Sequence, residues 1–346
     1  MDLKETMKTL CAACGPTGFE GAVSQTALEL VKPLCDEAWI DKKGNVVGVR
    51  RCGKTNARKV LITAHLDEIG LLVSGIEDGF LRFTKVGGVD PRMLPDRELT
   101  ILTDPPLFGV VAALPPHVMS EEDKEKTIPI EDLRIDIGCS QKKAEKLVPV
   151  GTPISFRKDN YSLGEYYYCG TSLDDRSCFA SCMLAMEILK DRPLDCDLYI
   201  LGAVGEEIHS DGAITAGYGL DPDYCIVVDV CQAKTTDGGP TNKDVELGKG
   251  PTIAIGANCQ PHISQHLIDL AAKHRIPVQP SAYPGSTATD AWPMQIASRG
   301  FEMSLLSLPM RYMHTPIEVI DMRDVQALGE MIALAVAEPC KEVYTC

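Results

Sequence analysis

The chain has 346 residues, with 34 Lys+Arg against 49 Asp+Glu and a formal charge of −15. Nucleic acid is thereby excluded as a partner, because counterion release needs clustered Lys and Arg and the sequence has no basic patch. At 45% hydrophobic and 24% charged the composition is that of an ordinary globular protein, so disorder, collagen and coiled coil fall away.

The opening residues, Met1 to Lys8, mix charges of both signs and lack the apolar run of a secretory signal. No stretch approaches the roughly 18 to 20 consecutive apolar residues that span a bilayer. A cytoplasmic protein without membrane contact is expected, and its 14 cysteines read as free thiols in a reducing compartment. Cys11 and Cys14 form a C-x-x-C, but no second pair stands at zinc-ribbon spacing, so they read as residues of a helix end.

In chain order, helical periodicity runs from Leu3 to Ala13 and stops at Gly15-Pro16; Gly21 to Lys32 is a second amphipathic helix. A strand pair follows over 37–49 with Lys43-Gly44-Asn45 at its turn, then a short buried strand, RKVLITA, ends at His65. From 70 to 166 the character changes to short strands (LRFTKV, ELTILT, LFGVVAAL, TPISFR) broken by Gly, Pro and Asp, with one helix near Ser140 to Lys146. A longer βα rhythm then returns: helices over 175–190, 212–216, 264–274 and 322–337, and strands over 197–204, 225–230 and 302–308. The expected fold is therefore α/β, a mixed-sheet α/β/α domain over 1–69 plus 167–346 with a small all-β domain, 70–166, inserted into it.

Polar clusters sit where the buried strands end. His65-Leu66-Asp67 follows RKVLITA, Glu206-Glu207 follows LYILGAV, Asp229 ends YCIVVD, and His314 lies just beyond MSLLSLPMRYM. In open α/β sheets the carboxyl ends of neighbouring strands face one crevice, so these residues are expected to meet there. Asp174 and Asp175, opening the helix after the insertion, can reach the same place. Two His, several Asp and a Glu pair form a ligand set for hard or borderline divalent metals, and a shared carboxylate can bridge two ions. On an extended segment residues i and i+2 share a face, so Asp67 can take the proton on one imidazole nitrogen of His65 while the other binds metal. Adjacent glutamates point apart, which leaves one to ligate and one to act as a base.

The segments TAHLDEIG (63–70), KVGGVDPRMLP (85–95), LRIDIGCS (133–140), TSLDDRS (171–177), VGEEIHSDGA (204–213), VVDV (227–230) and RYMHTPIEV (311–319) together resemble the M42 metallo-aminopeptidases, the glutamyl and tetrahedral aminopeptidases, some of them labelled endoglucanase M. Gly15-Pro16-Thr17-Gly18-Phe19-Glu20 is similar to a family segment near the N-terminus. The resemblance spans essentially the whole chain. It implies a phosphorylase/hydrolase-like catalytic domain, a PDZ-like or barrel insertion that dimerises, and His65, Asp174, Glu207, Asp229 and His314 as ligands of two zinc or cobalt ions. Asp174 would bridge, Glu206 would be the general base, and Asp67 would orient His65. The long gap between Asp67 and Asp174 puts the extra domain early in the chain, as in M42, whereas M20-type peptidases carry theirs later.

Two departures stand out: Gly205 where the family has Gln, and Ile208-His209-Ser210-Asp211-Gly212 where it often has Val-Gly-Leu-Arg-Gly. His209 reads as a loop residue. The implied activity is removal of N-terminal residues from short peptides. A deacylase or amidohydrolase of small substrates is the alternative, with a metal- or peptide-binding scaffold as a non-enzymatic one. An endoglucanase is disfavoured, because 2 Trp and 5% aromatic residues make a thin platform for sugars. No G-x-S-x-G elbow or H-E-x-x-H motif is present. His262 and His266, spaced i, i+4 with no carboxylate to complete a site, read as a solvated helix face. The resemblance further implies a homo-oligomer, with dimers building a hollow dodecamer.

Overall fold

The computed structural model describes residues 1–121, 126–235 and 244–340. Its centre is four parallel strands, Cys196–Ala203, Arg58–His65, Tyr224–Gln232 and Glu302–Arg311, side by side in that order. Antiparallel strands extend both flanks. Val46–Arg50 and Glu37–Ile40 continue one side; Glu318–Asp321, Tyr167–Gly170 and Asn160–Leu163 continue the other. Thr252–Gly256 pairs with Glu302–Arg311 and with Gln279–Tyr283.

The side-chain period of two divides each central strand between two cores. Val60, Ile62 and Ala64 face the core built with helices Leu3–Ala12, Gly21–Val31, Leu173–Leu189, Pro261–His274 and Met322–Ala337. Leu61, Leu201 and Val227 face the opposite core, with helices Asp211–Leu220 and Ala291–Met294. The fold is thus an α/β/α sandwich on a mixed sheet. Near-continuous apolar runs such as RKVLITA make buried strands because both faces are covered. The first and last helices open on side-chain caps: the Asp2 carboxylate accepts from Lys4 and Glu5 N–H at 3.1 and 3.2 Å, and Asp321 from Arg323 N–H at 2.9 Å.

Strands Gly70–Glu77, Phe80–Val86, Arg134–Asp136, Leu107–Ala112, Glu98–Ile101 and Pro153–Phe156 close into a six-stranded barrel with its own core, including Leu71, Leu81, Leu99, Ile135 and Ile154. The barrel strands end at Phe156. Asn160–Leu163, inside the expected 70–166 insertion, forms a hairpin with Tyr167–Gly170 on the edge of the larger sheet, so the return from the barrel comes earlier than the loss of alternating short strands implied. The strands over 252–256, 279–283 and 318–321 carry no alternation that sets them apart as local signals. Their pairing with neighbouring strands assigns them to the sheet.

The thirteen cysteines among the described residues are free. Cys11 is buried, its thiol 3.5 Å from the Ser172 carbonyl, and no metal set forms around it and Cys14 among the described residues. The His262/His266 face is a correction. Both rings are half-buried because helix Pro261–His274 packs against the strand beginning at Glu302 and the end of the last helix. His262 Nε2 lies 3.8 Å from Glu302 Oε1, and His266 Nε2 lies 2.7 Å from the Glu338 carbonyl. Among the described residues no helix is long and apolar enough to cross a membrane.

Candidate active site

The carboxyl ends of the four parallel strands open into a cavity of about 580 Å³, lined by His65, Asp174, Glu206, Glu207, Asp229 and His314, among others. All five expected ligands and the expected base therefore meet. His65 Nε2 is 3.1 Å from Asp174 Oδ1 and 3.9 Å from Glu206 Oε2. His314 Nε2 is 3.5 Å from Asp174 Oδ2 and 3.4 Å from Glu207 Oε2. The two oxygens of Asp174 thus face two different histidines. Ligand atoms of His65, Asp174 and Glu207 lie within 4.8 Å of one another, as do those of His65, Asp175 and Asp229. His209 is exposed on the cavity rim.

Asp67 is fully buried and lies on the far side of His65 from Asp174. His65 Nδ1 lies 3.2 Å from the Asp67 carbonyl and 3.6 Å from its carboxylate. That carboxylate also accepts from Thr17 Oγ1 at 2.8 Å and from the Glu206 and Glu207 N–H groups at 3.2 Å each. It therefore fixes the backbone carrying both glutamates as well as flanking the imidazole. Gly205, φ +79°, makes the turn that leads into them, a conformation costly for a residue with a Cβ.

Several contributors went unassigned in the sequence. Glu318, buried within RYMHTPIEV, accepts from the Asp174 N–H at 3.1 Å. Asp290, 2% exposed, has no close hydrogen-bond partner on either carboxylate oxygen among the described residues; burial and then Glu206 push its carboxyl up to about 8 against the pull of His65 and a looser contact with Ser210. Gly88, from the barrel, packs so closely that a Cβ there would sit 2.4 Å from His314 Nδ1. The motif segments 85–95 and 311–319 marked two of these positions, but no periodicity linked them to the crevice.

The electrostatics show what the donor set lacks. Burial, with Asp174 adding repulsion against the pull of His65, pushes the Glu206 carboxyl up to about 7. Burial and then Asp174 drive Glu207 well above the carboxylate range. Burial, then Asp175 and Glu206, do the same to Asp229. Burial pushes His65 down, but hydrogen bonds to Asp174 and Asp67 carry it well above its ordinary value. Burial pushes Asp67 up, but contacts with His65 and Thr17 outweigh it and hold it low. Carboxylates crowded beyond the local supply of positive charge, with two imidazoles among them, fit divalent cations.

The model of the M42 glutamyl aminopeptidase family matches residues 44–331. The chain belongs to the M42 family. It is 36% identical over 330 residues to lysyl aminopeptidase of Pyrococcus furiosus, covering 93% of each chain. Among solved structures it is similar to an aminopeptidase of the archaeon Desulfurococcus kamchatkensis, at 33% identity and TM-score 0.89 over 99% of this chain and 98% of that one. It is likewise similar to the TET1 peptidase of Pyrococcus horikoshii, which assembles into a tetrahedron or a large octahedral shell, at 30% identity and TM-score 0.86 over 97% and 100%. This M42 protein is an aminopeptidase, a hydrolase of peptide bonds.

Proposed function

We propose that the crevice holds two divalent ions, zinc or cobalt by donor type, and that the enzyme removes single N-terminal residues from short peptides. The observation that carries this is Asp174, with one oxygen toward His65 and the other toward His314. His65, Asp174 and Asp229 would hold one ion; Asp174, Glu207 and His314 would hold the other. Ions bound there would supply a water of lowered pKa and polarise the scissile carbonyl. Glu206, which lines the cavity with its carboxyl raised toward neutrality, takes a proton from the attacking water and returns it to the leaving amine nitrogen as the C–N bond breaks. Asp67 keeps His65 oriented and the Glu206–Glu207 backbone in register. A free amino terminus bound at the ion pair would restrict cleavage to the end of a peptide.

The barrel supplies the surface through which copies of this chain associate, in line with the tetrahedral relative. Phe108, Leu114, Val118 and Val150, between 57 and 68% exposed, leave it an apolar exterior. We place the enzyme in the cytoplasm, where its thiols stay reduced. The test is a panel of Leu, Glu, Asp, Lys and Ala anilides, run on enzyme as isolated, after chelation and after adding back cobalt or zinc, with carboxymethylcellulose as control. Hydrolysis that vanishes on chelation and returns with metal is expected. Anilides cleaved equally well after full chelation would overturn the metal reading.

A further inference from the structure

Three residues after His65, Glu68 is 3% exposed and has no part in the chemistry above. Its carboxylate is nonetheless bonded on both oxygens. Oε1 accepts from Gly15 N–H at 2.8 Å and from Ser155 Oγ at 3.0 Å. Oε2 accepts from Lys158 Nζ and Ser172 Oγ, and Arg176 Nη2 lies 3.6 Å away. Lys158 also donates to Ser172 Oγ at 2.6 Å. The Glu68 backbone joins in, its N–H donating to the Gly15 carbonyl at 3.1 Å and its carbonyl accepting from Thr17 N–H at 3.2 Å.

These donors come from four separate pieces of chain. Gly15 and Thr17 belong to the opening segment, and the Thr17 hydroxyl is the one that holds Asp67. Ser155 is in the last barrel strand, and Lys158 is in the linker returning from the barrel to the main sheet. Ser172 and Arg176 bracket Asp174. Ser172 holds the left-handed conformation, φ 62°, that turns the chain toward Asp174, a position a non-glycine residue keeps only where its surroundings fix it. Arg176 closes the ring by donating from Nε to the Leu66 carbonyl at 2.9 Å. Burial pushes the Glu68 carboxyl up, but Lys158 and Arg176 outweigh it and hold it at about 2; burial in turn, with Arg176 beside it, lowers the Lys158 ammonium against the pull of Glu68.

We propose that Glu68 and Lys158 are positioning residues: their ion pair locks the barrel's return linker onto the Ser172 turn and the Asp67 segment, so placement of Asp174 depends on how the barrel is docked. The barrel is then more than an association surface. Lys158 reaches the site only through Glu68 and Ser172, yet its loss displaces the carboxylate that faces both histidines. The inference rests on the metal-centre reading above.

The test compares wild type with Lys158→Met, Lys158→Arg and Ser155→Ala, measuring cobalt and zinc affinity by equilibrium dialysis, melting temperature, and kcat and KM on the best anilide. Outer contacts that orient metal ligands are worth about 10- to 100-fold in metal affinity. Lys158→Met is expected to lose at least about tenfold in metal affinity and in kcat, with KM within about twofold, and Lys158→Arg to regain most of both. Ser155→Ala, which removes one barrel donor and no charge, gives the same pattern at roughly two- to fivefold and serves if Lys158→Met does not fold. Lower melting temperature with wild-type metal affinity and kcat per folded chain would make the cluster merely structural and overturn the proposal. A wild-type protein that binds no divalent ion refutes the metal reading and this inference with it; wild-type binding left unaltered by the variants refutes this inference alone.

Discussion

Two buried clusters of charge lie three residues apart along one segment, and they behave in opposite ways. Around His65, the carboxyls of Glu206, Glu207 and Asp229 are pushed up because each is buried among others of its kind. Around Glu68, equally buried, the carboxyl is pulled down to about 2 because Lys158 and Arg176 face it. Burial alone decides neither case; the local count of cations does. The Glu68 cluster neutralises itself and can serve as structure, whereas the His65 cluster leaves a charge to be supplied from outside, the mark of a binding site.

The sharpest way to break this contrast is to take the outside charge away. Exhaustive chelation is expected to abolish anilide hydrolysis, and added cobalt or zinc to restore it, followed by continuous absorbance. Glu206→Gln comes next: it should keep metal content, read by elemental analysis, while kcat falls roughly a thousandfold, within the range for loss of a general base. Near-wild-type turnover in that variant would remove Glu206 from the reaction. Asp67→Asn should weaken metal affinity by about 10- to 100-fold, since the amide cannot reproduce the acceptor contacts to His65, Thr17 and two backbone N–H groups. Gly88→Ala should cost about tenfold in metal affinity, because its Cβ would fall on the His314 ring.

The smallest expected effect is the pH dependence of stability, where the two clusters diverge. A carboxyl raised in the folded state binds more protons folded than unfolded, so its stability contribution is full below the unfolded pKa and is lost as pH rises through the folded value. For Glu206, raised to about 7, this predicts that metal-free protein melts several degrees lower at pH 8 than at pH 5, and that metal removes the difference. Glu68, lowered to about 2, runs the other way: its contribution is present above the unfolded pKa and disappears as pH falls through about 2. Glu68→Gln should therefore flatten acid unfolding between about pH 5 and 2, while Lys158, already lowered by burial and now without its carboxylate, becomes a further source of pH dependence above that range. Melting curves across pH, with and without metal, check both.

Much of this was legible in the sequence where one residue's neighbours declare its place. RKVLITA running into His65 and LYILGAV into Glu206-Glu207 each carry a buried parallel strand followed by polar residues, and strand ends of that kind meet at a crevice. Asp229 and His314 were legible in the same way. Glu68 stood in the same motif, but its partners Ser155, Lys158 and Ser172 lie 87, 90 and 104 positions away, and nothing local links them. Thr17, Glu318 and Asp290 were missed for the same reason: a hydrogen bond or an unpartnered carboxylate leaves no period in a sequence. The early return from the barrel was also hidden, since Asn160–Leu163 alternates like a barrel strand and only its pairing with Tyr167–Gly170 assigns it to the larger sheet.

The measurement that bears most directly on the whole account is a titration of fully chelated enzyme with cobalt or zinc, counting bound ions per chain while following hydrolysis of the best anilide. Two ions per chain, with activity rising from zero as they bind and Glu206→Gln binding the same two while staying inactive, is the predicted result. Full hydrolysis by enzyme shown to carry no metal would contradict it.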